Sequence, residues 1–306
     1  MSLLSLIKGR RGASGFGYAS TAEEVTAGLD LHGKTILLTG VNSGLGQESA
    51  RVLSLRGARI VAAARTKEKA AEACKGFAGE TVPVACELSE PASVRACVAE
   101  VKKLGLPLDV ILCNAGIMAL PEREVLHGQE LQFLTNHVGH FLLVTGLLES
   151  LTPTGRVVML SSEAHKMAPK GGIRFDDLSF EKGYTGWGAY GQSKLANLLF
   201  ARSLARKFAG TKRTTNAVHP GVIATNLTRH MNVFARVGFP IASAIALKSV
   251  PEGAATQCYV ASHPSLATVS GEYFADSNVS KSTRDGLDVA MGDRLWKVTE
   301  ELVSKL

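Results

Sequence analysis

The chain has 306 residues, of which 45% are hydrophobic and 20% charged, a composition that excludes a disordered or fibrous protein. Its net charge of +7 favours anionic partners, but the basic residues occur as short pairs without interleaved aromatic residues, so we expect no nucleic-acid binding. The five cysteines form no C-x-x-C pair, and no apolar stretch approaches the roughly 20 residues of a membrane-spanning helix, which predicts a cytoplasmic protein with free thiols and no transmembrane segment.

Residues 1–30 precede the first predicted strand. The first part of this segment contains Lys8, Arg10 and Arg11, several serines and no acidic residue, which is faintly similar to an organellar presequence but lacks a secretory apolar region. We predict a partly disordered N-terminal extension over residues 1–30, followed by one domain over residues 31–306.

From Gly33 onward, short β-branched apolar runs alternate with longer helical patterns, which is typical of a parallel sheet covered on both faces. The sequence therefore predicts an α/β fold, a doubly wound parallel sheet of the Rossmann type in a single domain. The predicted strands are residues 35–39, 59–63, 81–85, 110–113, 156–160, 215–218 and 272–274. The predicted helices are residues 45–55, 90–104, 129–151 and 190–208.

A glycine-rich turn follows the first predicted strand, where residues 39–46 read TGVNSGLG. Gly40 allows the tight turn, Gly44 allows a pyrophosphate to approach the backbone, and Gly46 allows close packing of helix and strand. Glycines also serve ordinary turns, but here a strand precedes them and a helix follows. The turn therefore predicts a dinucleotide site at the helix N-terminus.

The end of the second predicted strand decides which dinucleotide is preferred. Folds that prefer NAD carry an acidic residue there for the ribose 2′-hydroxyl, whereas this chain reads AAARTK over residues 62–67. Arg65 therefore stands where a 2′-phosphate would lie, and its guanidinium can pair with that phosphate. The alternative is that Arg65 is a solvated loop residue. The sequence favours NADP, used as NADPH.

Tyr190 and Lys194 lie four apart on a predicted helix and therefore share one face. A phenol titrates too high to be an efficient base at neutral pH, and an adjacent ammonium is expected to lower its pKa. The alternative is an ordinary surface pair. Ser162 ends a strand at the carboxyl edge of the sheet, which favours the catalytic interpretation because ligands of doubly wound folds bind there.

Together these motifs resemble those of the short-chain dehydrogenase/reductase family. In chain order they are TGxxxGxG at residues 39–46, NAG at residues 114–116, a serine at Ser162, YxxxK at residues 190–194 and PG at residues 220–221. Within the family, NHVGHFLL (136–143), QSKLAN (192–197) and GEYFAD (271–276) are similar to the branch of retinol dehydrogenases, WW-domain oxidoreductase and plant chloroplast-envelope dehydrogenases. The resemblance runs from about residue 33 to the C-terminus.

The resemblance implies four catalytic residues. Ser162 would polarise the substrate oxygen and Tyr190 would exchange its proton, while Lys194 would tune Tyr190 and Asn136 would support a proton-relay water. It also implies a cofactor site made of Gly40, Asn42, Ser43, Gly44, Leu45, Gly46, Arg65, Glu87, Leu88, Asn114, Ala115, Gly116, Tyr190, Lys194, Pro220, Gly221, Val222 and Thr225.

The chain departs from the common family pattern in two places. Glu87 stands where the family usually has aspartate, which makes the expected contact with adenine less certain. An insertion containing residues 175–178 separates Ser162 from Tyr190, as is typical of this branch. Neither departure alters the catalytic residues.

Residues 226–247 are apolar with few charges, which predicts a substrate lid over about residues 222–250; a contact with a second subunit or a membrane, or core packing, are alternatives. His137 and His140 share a helix face without a third ligand, so no metal site is expected. The predicted function is NADPH-dependent hydride transfer to or from an apolar aldehyde, ketone or alcohol, in a possible homodimer. The alternatives are a dinucleotide-sensing interaction protein and a light-dependent protochlorophyllide reductase.

Overall fold

The computed structural model describes residues 9–223 and 247–306. Its strands are β1 (Thr35–Thr39), β2 (Arg59–Ala64), β3 (Thr81–Ala85), β4 (Leu108–Cys113), β5 (Val125–Leu126), β6 (Gln129–Glu130), β7 (Leu151–Leu160), β8 (Thr214–His219), β9 (Tyr273–Ala275) and β10 (Asn278–Val279). β5 and β6 form a small hairpin, and the other eight form one sheet in the order β10-β9-β8-β7-β4-β1-β2-β3. The predicted α/β doubly wound fold in a single domain is confirmed.

The helices of the described residues are α1 (Ala22–Val25), α2 (Gly44–Leu55), α3 (Lys67–Ala73), α4 (Pro91–Lys103), α5 (Leu131–Phe133), α6 (Gly139–Leu147), α7 (Gly186–Lys207), α8 (Val250–Ser262) and α9 (Val289–Lys305). A π-helical turn, Leu134–Val138, joins α5 to α6. None of these helices is long and apolar enough to cross a membrane.

The central strands are buried on both faces, as their unbroken apolar sequences predict. In β1, Ile36 and Leu38 join the core beneath α2, α3 and α8, whereas Leu37 joins the core beneath α4, α6 and α7. Every strand pair of the large sheet is parallel except β10 with β9. The strand order reverses between β1 and β4, which places a ligand crevice at their carboxyl ends.

One predicted helix, residues 129–151, differs from the structure. It is interrupted by the π-helical turn and ends at Leu147, because Leu151 already begins β7 and is buried in the core. Helices α3, α8 and α9 were not predicted. In α3 and α8 apolar spacing is weak, and the start is set instead by local caps: Thr66 for α3, and a capping box of Ser249 and Glu252 for α8.

The described part of the N-terminal extension packs onto the domain. Asn278 accepts a hydrogen bond from the backbone N–H of Ser14 and donates to the carbonyl of Phe16. The Phe16 ring lies edge-on to Tyr259 of α8, with ring centroids 5.6 Å apart. This segment therefore lies against α8 and the β9–β10 edge of the sheet.

Candidate active site

The turn after β1 has the backbone geometry of a phosphate-binding loop. Gly40 and Gly44 have φ angles of 74° and 55°, which L side chains rarely adopt. A Cβ on Gly46 would lie 2.1 Å from the Gly40 carbonyl oxygen, so only glycine lets α2 begin this close to the strand. A Cβ on Gly44 would meet nothing within 4 Å, and Ser43 makes no side-chain capping bond to α2. The first N–H groups of α2 are therefore free of a side-chain cap, as a pyrophosphate site requires.

Asn114, at the end of β4, braces this turn. Its backbone N–H donates to Thr39 Oγ1 at 3.0 Å, and its Nδ2 donates to the Thr39 carbonyl at 2.9 Å. Its Oδ1 accepts from Gln257 Nε2 at 3.1 Å, and Gln257 also donates to Ser49 in α2. The Asn114 side chain is therefore engaged within the protein, and its contact with a cofactor stays a prediction.

The predicted adenosine-side residues lie at the carboxyl ends of β2 and β3. Arg65 directly follows β2 and is exposed, and no acidic residue accompanies it. Glu87 accepts hydrogen bonds from the N–H and hydroxyl of Ser89, which shapes the turn before α4. Leu88 is buried, and its carbonyl lies so close to Gly139 that a Cβ there would be only 2.2 Å away. Asn42 is exposed and Leu45 is buried between the turn and α8.

Ser162, Tyr190 and Lys194 meet at the carboxyl edge of β7. Ser162 lies two residues after the end of β7 and is hydrogen bonded to the phenol of Tyr190. Lys194 Nζ lies 5.5 Å from the centroid of the Tyr190 ring and donates to the carbonyl of Leu160 at 3.0 Å. The Lys194 amine also lies close to Gly116, since a Cβ added there would be 3.4 Å from Nζ. The neighbouring Ala115 in turn lies close to the glycine turn, since a Cβ added to Gly40 would be 3.0 Å from it. The three side chains therefore adjoin the phosphate-binding turn.

The direction of the Tyr190 pKa differs from the sequence prediction. Burial raises the pKa of Tyr190 to about 12, although the Ser162 hydroxyl opposes this rise by favouring the phenolate. Burial also lowers the pKa of Lys194 to about 7. The prediction of a lowered Tyr190 pKa was wrong, because desolvation of the buried phenol dominates and the Lys194 amine donates to the Leu160 carbonyl.

Asn136 lies in the π-helical turn and is fully buried. Its Oδ1 accepts from the Ile117 N–H at 2.8 Å, and its Nδ2 donates to the Ile117 carbonyl and to Ser193 Oγ, each at 2.9 Å. Since Ser193 precedes Lys194 in α7, these bonds connect the π-helical turn to the helix that carries Tyr190 and Lys194. Its predicted support of a proton-relay water stays a prediction.

The PG turn follows β8 next to the same edge. Gly221 has a φ of 96°, and a Cβ there would lie 2.6 Å from the Lys248 side chain. The Val222 carbonyl accepts from the Lys248 N–H at 2.9 Å, so the two ends of the predicted lid lie side by side. Pro220 is buried. Thr225 and most of the predicted lid, residues 224–246, lie outside the described residues.

Exposed apolar side chains lie beside Tyr190. Trp187 is 41% exposed, and its ring is edge-on to Tyr190 with centroids 6.0 Å apart. The backbone of Met167 packs against Gly191, and its side chain is also exposed. These two residues, with the exposed Val222, are apolar surface near the Ser162 hydroxyl and the PG turn.

Three buried histidines near the site, His137, His140 and His219, are hydrogen bonded to protein groups. His137 contacts Thr299 of α9 at 3.0 Å, His140 contacts Thr39 at 2.9 Å, and His219 accepts from the backbone N–H of Glu163. Burial lowers the pKa values of all three, to about 3, 4 and 4 in that order. The described residues contain no cluster of three or more His, Cys, Asp or Glu able to hold a metal ion.

Sequence reasoning missed the polar groups that position the site. Gln257, Ser193 and the hydroxyl of Thr39 each bond to a residue of the catalytic or cofactor set. Only the contact between His140 and the Asn136 carbonyl had a signal in the sequence, because residues four apart in a predicted helix lie on the same face. The partners Gln257 and Asn114 are 143 residues apart, so no local pattern could link them.

Comparisons with known proteins agree with this geometry. A family model described as enoyl-(acyl carrier protein) reductase matches residues 40–275. The short-chain dehydrogenase TIC 32 A, chloroplastic, of Brassica napus is 41% identical over 324 residues, covering 100% of both chains. Retinol dehydrogenase 14 of Homo sapiens is 38% identical, covering 90% of this chain and 88% of the relative.

A solved structure shows the same architecture. The crystal structure of an uncharacterised protein from Mycobacterium paratuberculosis superposes with a TM-score of 0.74 at 32% sequence identity, covering 92% of this chain and 97% of that one.

Proposed function

The chain belongs to the short-chain dehydrogenase/reductase family, and on that premise we propose that it is an NADPH-dependent reductase of apolar aldehydes or ketones, able also to oxidise the corresponding alcohols. The observation that carries the proposal is the meeting of Ser162, Tyr190 and Lys194 beside the glycine turn at the carboxyl edge of the sheet. A phenol, a hydroxyl and an amine beside a dinucleotide-binding turn can together bind a carbonyl oxygen and protonate it, which is what carbonyl reduction requires.

The residues of the chain divide the work of reduction between them. A bound NADPH would supply a hydride to the carbonyl carbon. Ser162 holds the substrate oxygen by a hydrogen bond, and Tyr190 donates its phenolic proton to the oxyanion that forms there. Lys194 adds positive charge beside the phenol when it is protonated, which stabilises the phenolate left behind.

The raised pKa of Tyr190 supports the reductive direction. A phenol whose pKa is about 12 stays protonated at neutral pH, so it is ready to act as an acid. Alcohol oxidation needs the phenolate instead, which the buried site disfavours. At neutral pH the phenol is therefore in the protonated form that can donate to a substrate oxygen.

The residues present fit a phosphorylated dinucleotide. The space where a Cβ on Gly44 would point is open, and the start of α2 has no side-chain cap to displace. Arg65 is exposed after β2, with no acidic residue to claim the ribose hydroxyls. These features support NADPH over NADH.

The apolar rim supports an apolar substrate. Trp187, Met167 and Val222 are about 40–50% exposed near the proposed catalytic hydroxyls. An aliphatic or aromatic carbonyl compound that bound there would remove apolar surface of these side chains from water, which favours binding. The named activity of retinol dehydrogenase 14, a relative at 38% identity, is consistent with a large apolar alcohol or aldehyde. A lid over residues about 222–250 remains part of this proposal.

The test is a steady-state screen in which loss of reduced nicotinamide is followed with aldehydes, ketones and retinoids, using NADPH and NADH in parallel. We expect turnover with NADPH, and we expect Tyr190→Phe to lower kcat by about 10²- to 10⁴-fold. The matched control is Tyr184→Phe, because the Tyr184 hydroxyl donates to the Leu120 carbonyl instead of bonding to Ser162. Full turnover by Tyr190→Phe would contradict the proposed role of Tyr190. A Tyr190→Phe variant that lost turnover but kept full biological activity would favour a dinucleotide sensor.

Three further points stay proposals. A homodimer and a location in the cytoplasm follow from family and composition, although the relatives from Brassica napus are named chloroplastic. Sedimentation of the full chain decides the first, and microscopy of a fluorescent fusion decides the second. Light-dependent protochlorophyllide reduction remains the other catalytic alternative, and it requires turnover that stops in the dark.

A further inference from the structure

His140 joins the two halves of the proposed active site. It is fully buried in α6, one turn after Asn136, and each of its ring nitrogens has one partner. Nδ1 lies 2.9 Å from the carbonyl oxygen of Asn136, and Nε2 lies 2.9 Å from the hydroxyl of Thr39. One partner belongs to the π-helical turn and the other to the phosphate-binding turn.

The hydrogen-bond roles in this chain of contacts follow from the groups themselves. A carbonyl oxygen only accepts, so the proton of the neutral ring lies on Nδ1. Nε2 then accepts, and the Thr39 hydroxyl must donate to it. The lone pairs of that hydroxyl are left to accept from the N–H groups of Asn114, at 3.0 Å, and Ala115, at 3.1 Å.

The environment keeps the ring in this form. Burial, together with the nearby Lys194 amine, lowers the pKa of His140 to about 4, so the ring is neutral at pH 7. A protonated ring would carry a second N–H toward Thr39 and reverse that bond. The donor order is therefore fixed over the pH range in which the protein works.

We propose that His140 is a positioning residue that locks the Asn136 turn to the backbone N–H groups of Asn114 and Ala115 through the Thr39 hydroxyl. It touches neither substrate nor cofactor. It acts on the cofactor side by orienting the end of β4 beside the glycine turn, and on the catalytic side by holding Asn136, which bonds to Ser193 next to Lys194. The catalytic part of this inference rests on the proposed reductase function.

The test uses substitutions at both ends of the lock. His140→Leu removes both ring bonds and Thr39→Val removes the hydroxyl at nearly constant volume, while Thr39→Ser keeps it. His140→Leu removes two hydrogen bonds and Thr39→Val removes three, but only the part of that loss that misaligns the cofactor site affects NADPH binding. We therefore expect each of these two variants to raise the Kd for NADPH about tenfold, the equivalent of one buried hydrogen bond. Both substitutions break the same chain of hydrogen bonds. The Kd of the double variant for NADPH should therefore equal the higher Kd of the two single variants, whereas independent effects would multiply to a rise of about a hundredfold.

A merely structural role would give a different result. The matched control is His137→Leu, which deletes another buried imidazole of the same helical segment, bonded to Thr299 and not to Thr39. It should lower thermal stability and leave both the Kd for NADPH and kcat close to wild type, whereas His140→Leu also lowers kcat. Equal behaviour of the two variants, or a multiplicative double variant, would overturn the proposal.

Nitrogen NMR of the wild-type protein tests the lock without any substitution. We expect the Nδ1-protonated neutral tautomer of His140 from pH 6 to pH 8, and an Nε2-protonated ring or an imidazolium would overturn the proposal. The Kd and tautomer measurements need no turnover. If the wild-type chain binds NADPH but reduces no carbonyl compound, the proposed function fails while these two measurements still decide the role of His140.

Discussion

The buried amine of Lys194 makes a quantitative prediction about the stability of the cofactor-free protein. Lys194 is only 2% exposed, and burial lowers its pKa from the ordinary value of 10.5 to about 7. Between these two values the unfolded chain binds a proton that the folded chain does not. Stability contributed by this group therefore rises with pH through this window and is lost as pH falls toward 7.

The size of the effect follows from the two pKa values. Integrating the difference in bound protons from about pH 6 to about pH 8.5 gives a gain of about 2 kcal/mol in the free energy of unfolding. Lys194→Met removes the titrating amine but keeps a chain of similar length in the same place. The variant should therefore lack this gain.

The assay is urea unfolding of both proteins at several pH values without nucleotide, with the wild-type minus variant difference plotted against pH. Taking the difference removes contributions that both proteins share, such as the buried thiols of Cys113 and Cys258, whose pKa values burial also raises. We expect the difference to move by about 2 kcal/mol in favour of the wild type as pH rises. Parallel curves for the two proteins would show that the amine is not desolvated, and the reasoning on its pKa would be refuted.

Three further predictions concern the cofactor site and the core. Arg65→Asp should raise the Kd for NADPH about tenfold or more and improve the relative kcat/KM with NADH, because a carboxylate repels the 2′-phosphate; an unchanged NADPH to NADH ratio would contradict this. Gly46→Ala places a Cβ 2.1 Å from the Gly40 carbonyl, so calorimetry should show a loss of about 1–3 kcal/mol together with weaker NADPH binding, and a wild-type Tm would refute the close approach. Trp296→Ala removes a ring of α9 that stacks on Phe200 with centroids 5.4 Å apart, so urea unfolding should show a free energy of unfolding lower by about 2–3 kcal/mol. An unchanged free energy of unfolding would show that α9 does not pack there.

Local sequence patterns were sufficient for the parts of the fold that repeat or bend sharply. β1 and β3 lie at the bounds that the sequence predicted. For β1 the reason is that a strand buried on both faces needs an unbroken apolar sequence. The phosphate-binding turn was equally predictable, since Gly40 and Gly44 occupy backbone angles that few other residues adopt. The order of motifs then identified the family before any tertiary contact was known.

The break in the third predicted helix was not visible in the sequence. Residues 129–151 carry continuous helical spacing, yet the chain forms a π-helical turn at Leu134–Val138 and leaves the helix at Leu147. Bonds from the Asn136 side chain to Ile117 and Ser193 join this turn to segments distant in sequence. A periodicity argument contains no information about such partners.

By itself the sequence determined seven strands of the large sheet and the glycine turn, and it predicted Ser162, Tyr190 and Lys194 as active-site residues, because residue type and spacing specify backbone geometry and chemical groups. The tertiary structure alone decided that the Tyr190 pKa is raised and that His140 joins Thr39 to Asn136. Both depend on how completely water is excluded and on which distant groups fill the space. Those quantities arise only when the helices and strands have packed together.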